Sequence, residues 1–306
     1  MRTLLSVSVP LVLSAILLAA CGGSGSADGG TAPAAGTPGA GTSAPDTPAT
    51  GTPGTPGTAA PDSDLASFAA AWTSFMLLES VQPLQLVVGA TAACPQGGSL
   101  AYDAASATQT LQQCRLNQFP DHAFTGTLHL TGLTATTDRS HVSASIDVAG
   151  VTVADAAGGV EYTLAAGDIG SEVSDSDAGD RYVYASHALS FRIGTARRYE
   201  ISNAGSTSTA ILYEAGTPVR YTDNLVFTTN DGARSWQVTA SSPVREAGVN
   251  RPDRGSLMIT PLGASAALNV TFGAGNSLTL SGGERGTTRV LSWNDAALQA
   301  ALAASR

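Results

Sequence analysis

Four histidines, three cysteines and a modest set of carboxylates are the residues of this chain whose types can do chemistry. The histidines are His122, His129, His141 and His187, and none stands in a His-Glu-x-x-His zinc motif. No Gly-x-Ser-x-Gly elbow is present either. A triad of His129 with some Asp and some Ser can be assembled, as it can in any chain this rich in serine. His187 and Asp223 are better placed. His187 is in phase with Val183, Ala185, Leu189, Phe191 and Ile193, and Asp223 with Val219, Tyr221, Leu225 and Phe227. At a two-residue period each then points to an otherwise apolar face, where a buried charge needs a partner. A His187–Asp223 pair across a sheet, or a polar spot in a ligand cavity, is the sharper expectation. Placement at a sheet edge or satisfaction by backbone groups is the plainer one. Asp168, Glu172, Asp175, Asp177 and Asp180 form an acidic stretch. The run 175–180 has calcium-loop spacing at its start, but its Gly falls one place early and no Glu closes it. Asp, Ser and Gly are also turn residues, so neither a metal nor another cofactor is expected.

The basic residues exclude more. All fifteen are arginine. Schiff-base, Ser-Lys and P-loop chemistries need a lysine, and the chain has none. The net charge of −9 leaves no electrostatic footprint for nucleic acid.

The N-terminus carries the most specific motif. Arg2 is the only charge before Asp28, and residues 4–20 are apolar or small apart from Pro10. This is the layout of a secretory signal and is too short for a stable membrane span. It ends in Leu18-Ala19-Ala20-Cys21, which resembles the lipobox of bacterial lipoproteins. That resemblance implies that residues 1–20 are a signal peptide and that Cys21 becomes a lipidated N-terminus. Two or more acyl chains suffice for stable membrane anchoring, at about 0.8 kcal/mol per buried CH₂. Gly22 follows the Cys. By resemblance to the Gram-negative sorting rule, the absence of Asp there implies an outer-membrane lipoprotein. The membrane is thus the one partner that the resemblance implies directly.

With Cys21 assigned to lipid, Cys94 and Cys114 remain, and an even pair in an exported protein predicts a disulfide. A metal site lacks nearby His or Cys ligands, and a redox pair would more naturally sit as Cys-x-x-Cys.

These residues must be positioned by a chain of three parts. Residues 21–62 are the lipidated Cys and a tether of Gly, Ala, Thr, Pro and Ser, with Thr-Pro-Gly repeats at 52–57. Such a composition cannot bury a core, and as a coil it spans roughly 35 Å. Residues 63–306 form the globular part. Its start predicts a helix, because Leu65, Phe68, Trp72, Phe75 and Met76 recur at three and four residues, Asp62 or Ser63 can cap it, and Pro83 ends it. That aromatic stripe is expected to lie across a sheet. From residue 100 the period changes to two. Turn signals stand at 203–206, 230–232, 273–276 and 282–286, and about ten to twelve antiparallel strands are expected. Asn294 is expected to cap a short Ala/Leu helix over 295–303. The fold class is therefore mainly β: a large twisted antiparallel meander, either a half-barrel over the helix or a sandwich, with one apolar face and one Thr/Ser-rich face.

Gly97-Gly98, Cys114 and Gly126, with Gly255-Ser256-Leu257 and Trp293 near the end, are similar to a strand pattern in β-rich proteobacterial lipoproteins. That resemblance implies a fold and no activity. Three functions follow from the sequence. The first is a non-enzymatic envelope protein with a structural or binding domain, meeting an envelope protein. The second is a carrier of an apolar ligand held between sheet and helix. The third is a hydrolase.

Overall fold

The computed structural model describes residues 62–306, apart from 117–118, 138–140, 175–179, 215–216, 247–250 and 265. Side chains at 82–83, 86, 119, 171–174, 180–184, 187, 203, 206–214, 217–223 and 245–246 lie outside that description. The predicted lipidation site and most of the tether fall before it.

The first element is α1, Ser63–Val81. Asp62 starts it: its Oδ1 accepts from the amides of Asp64 and Leu65 at 3.1 and 3.3 Å. A 3₁₀ turn, Gln82–Val87, follows, with proline near its start. Proline has no N–H to continue the α-helical ladder, so α1 stops there.

Fifteen strands follow among the described residues. They are β1 Ala92–Ala93, β2 Ser99–Asp103, β3 Thr108–Leu116, β4 Phe119–Ala135 and β5 His141–Asp147. Next come β6 Thr152–Ala154, β7 Val160–Ser174, β8 Asp180–Ile193, β9 Arg197–Glu214 and β10 Thr217–Asn230. The last are β11 Ser235–Glu246, β12 Arg254–Pro261, β13 Leu268–Gly273, β14 Ser277–Gly282 and β15 Arg289–Ser292, before α2, Ala296–Ala304. All belong to one sheet, in which consecutive strands are antiparallel neighbours. The exception is β6, which pairs with β4 and β7 beside the main path. This is the large antiparallel meander that the sequence predicts.

Alternation sets the faces. In β13, Leu268, Val270 and Phe272 are buried while Asn269 and Thr271 are exposed. The buried faces meet α1. Every residue of α1 except Ser63, Ala66 and Met76 is buried. The sequence predicted one apolar stripe lying on a sheet; the helix is instead enclosed on nearly all sides. The enclosure explains why its polar residues find partners inside. Ser74 Oγ bonds Thr229 Oγ1 at 2.7 Å, and Thr73 Oγ1 bonds Ser305 Oγ at 2.7 Å. Trp72 packs edge-on to Phe272 at 5.5 Å and beside Trp293 at 5.2 Å. No helix among the described residues is long and apolar enough to cross a membrane.

Three local expectations change. Residues 203–206 are not a turn: they lie inside β9, where Gly205 pairs with Ala185 on one side and Val226 on the other. Register shifts flank this stretch on both sides. Its Asn-Ala-Gly-Ser composition therefore serves bulges rather than a reversal. The cap of α2 is Asp295 and not Asn294, because its carboxylate accepts from the amides of Ala297 and Leu298. Asn294 accepts instead from Arg251. The strand count exceeds the expected ten to twelve because short pieces such as β1 and β6 carry no alternation to read.

Candidate functional site

Among the described residues, openings adjoin the helices on two sides. The larger, about 380 Å³, lies between α1 and α2. Its floor is Leu65, Ala66 and Ala70 of α1 with Ala297, Ala300 and Ala304 of α2. The α2 alanines recur at three and four residues and so share one face of that helix. Leu298 faces the other way, fully buried. Two hairpins close the mouth: the start of β9 brings Arg197, and the β10–β11 turn brings Asp231 and Arg234. Arg234 stacks over the Trp236 ring at 5.2 Å. Asp231 Oδ1 accepts from the amides of Ala233 and Arg234, the fold-back expected of Asp at a turn. Asp62 stands at the far end, bonded to Arg289 and near Arg285. Burial raises the Asp62 pKa, but the Arg289 hydrogen bond, the Leu65 amide and the two guanidinium charges outweigh it. The carboxyl is held below its usual range.

The smaller opening, about 160 Å³, lies beside the C-terminal half of α1 and is lined by Ser80, His122, Glu161 and Tyr162 among others. A bulge builds it. Val153 of β6 pairs with Tyr162 but Ala154 pairs with Val160, so Glu161 is the extra residue. On the other side of β6, Ala154 pairs with Ala123, next to His122. The bulge thus aims Glu161 at His122, and their Oε2 and Nε2 atoms are 2.8 Å apart. The His122 hydrogen bond holds the Glu161 carboxyl below its usual range, against the opposing effect of burial. Alongside, the Tyr162 hydroxyl donates to Ser80 Oγ, and burial pushes the Tyr162 phenol well up. Ser80 in turn donates to the Leu77 carbonyl at 2.7 Å. A serine nucleophile must hand its proton to a base, and a main-chain carbonyl is not one. His122, a serine and an acid share this opening, yet Ser80 is wired as a structural hydroxyl.

The residues singled out from the sequence fare differently. Cys94 and Cys114 are joined as a disulfide, with Cα atoms 5.4 Å apart. Cys21 lies outside the described residues, as do the side chains of His187 and Asp223 and the loop 175–179. Their backbone register is visible. Asp223 pairs with Thr209, and Thr209 pairs with Tyr182, while His187 lies further along β8 between Ser186 and Ala188, which face Ala204 and Ser202. His129 is exposed on β4, with backbone partners Thr108 and Asp147. Among the described residues, no three His, Cys, Asp or Glu side chains are grouped so as to hold a metal ion. The His122–Glu161 and Ser80–Tyr162 contacts were not legible in the sequence. They join distant segments through a bulge that only strand pairing defines.

The chain matches no family model, no curated protein and no solved structure.

Proposed function

We propose that this chain is a lipid-anchored cell-envelope lipoprotein whose β domain is a binding module, held away from the membrane by the tether that precedes it. The lipobox at Leu18-Ala19-Ala20-Cys21 supports the anchor, and Gly22 in place of Asp supports the outer membrane. The observation that carries the binding role is the burial of α1. Leu65, Phe68, Trp72, Phe75 and Leu78 fill the concave side of the sheet together with inward residues of the strands. A carrier that swallows an apolar ligand between sheet and helix needs that space. Binding is therefore assigned to the openings around α1 and α2, of which the groove beside α2 falls within the size range of small-molecule sites, about 300–1,000 Å³.

The anchor is tested by growing cells with an alkyne-bearing palmitate and comparing the natural chain with Cys21→Ala. The expected outcome is label and outer-membrane fractionation for the natural chain and neither for the variant. Equal labelling of the two, or a soluble natural chain, would refute the lipoprotein reading.

A further inference from the structure

We infer that the groove between α1 and α2 binds a single-chain anionic amphiphile, its apolar chain along the alanine floor and its head group at Arg197 and Arg234. The inference rests on the binding-module reading and names the ligand class of its site. Three observations carry it. The floor offers side-chain methyl groups of both helices and Leu65, and the one hydroxyl in its lining, Ser305, is already held by Thr73 and the Leu302 carbonyl, so little there favours a sugar or peptide. The mouth is positive. Among the described residues, neither Arg197 nor Arg234 has a carboxylate within 4 Å. The two acids nearby are already engaged, Asp62 by Arg289 and Arg285 and Asp231 by backbone amides. Finally, this mouth departs from a chain of net charge −9, so it selects against cations and steers an anion locally. An arginine pair receives a carboxylate or phosphate head through charge-assisted hydrogen bonds, which an uncharged head cannot match.

The test uses the full-length chain carrying Cys21→Ser, so that no acyl chain of its own competes. It is titrated calorimetrically with decanoate, decanol and decyltrimethylammonium, all below micelle-forming concentrations. Decanoate is expected to bind saturably at one per chain, with the alcohol and the cation at least ten-fold weaker. Arg197→Gln with Arg234→Gln, the first half-buried at the start of β9 and the second on an exposed turn, should remove the preference and bring decanoate down to the level of decanol. Ala300→Trp, on the exposed side of α2, should abolish decanoate binding with the circular dichroism intact. If all three ligands bind alike and Ala300→Trp blocks them all, the anion assignment fails while the binding module stands. If none binds, or Ala300→Trp changes nothing, the groove is not the site and the module reading loses its support. A dimer in sedimentation that Ala300→Trp dissolves would make a second copy the occupant and overturn the proposal.

Discussion

Asp62 concentrates several roles in one carboxylate. One oxygen caps α1 and the other takes Arg289, with Arg285 3.4 Å away. Its neighbour Asp64 accepts from the Glu284 amide at 3.0 Å, so the first turn of α1 is tied to the β14–β15 turn. Because the folded pKa of Asp62 lies below the unfolded value, its contribution is present at neutral pH. It is lost as pH falls below about 4 and through the lowered folded value. Asp62→Asn keeps a capping oxygen and removes the charge. The variant is expected to melt lower at pH 7 by about 1 kcal/mol, or roughly 2–4 °C, with the gap closing toward pH 2–3. Thermal melts across that range check it, and a pH-independent gap would assign the loss to the cap alone.

Among the elements, β1, β2 and β3 form one edge of the sheet, and β1 has only two residues. Within that edge, the Cys94–Cys114 bridge fastens the end of β1 to β3 across a separation of 20 residues. Gly98 is fitted beneath it. Its φ is +82°, and a methyl group there would overlap the carbonyls of Gln112 and Gln113 at the β3 bulge. In the loop-entropy account, the bridge contributes about 3 kcal/mol by restricting the unfolded chain. Reduction, or the paired change Cys94→Ser and Cys114→Ser, is expected to lower the melting temperature by roughly 6–12 °C. Coincident melts of the oxidised and reduced protein would show that the edge is held by pairing alone.

For the whole molecule, the joint between α1, α2 and the sheet is polar as well as apolar. Tyr199 of β9 donates to the Ser305 carbonyl at 2.7 Å, and Ser305 holds Thr73 of α1. Burial, aided by the Asp231 charge and opposed by Arg197, pushes the Tyr199 phenol up to about 12. Burial acts the same way on Tyr162 at the other opening. A raised folded pKa gives stability that is complete below about 10 and is lost as pH rises through the folded value. Tyr162 and Tyr199 are thus expected to ionise only as the fold comes apart, between about pH 10 and 12 or above. Phenolate absorbance followed with circular dichroism tests this. Complete ionisation of all seven tyrosines with the strand signal intact would contradict it.

Local chemistry was legible along the chain. The Asp62 cap, the proline stop after α1, the Asn230-Asp231-Gly232 and Gly273-Ala274-Gly275-Asn276 turns and the period-two strands depend on neighbours in sequence, and each is where the residues predict it. The disulfide was legible too, because two remaining thiols in a chain expected to be exported allow a single pairing. What encloses α1 was not legible. Its aromatic stripe reads the same whether a sheet covers one side or wraps it, and only the curl of one continuous sheet decides. The bulge that turns Glu161 toward His122 also needs the register of β6 against both of its neighbours. The groove is a third case. Its alanines read only as part of a short Ala/Leu helix, and nothing in the sequence singles out Arg197 or Arg234, until the packing of α2 on α1 sets one beside the other. The sequence specifies elements through contacts a few residues long. The sites arise from contacts between segments far apart in the chain, and only the fold brings those together.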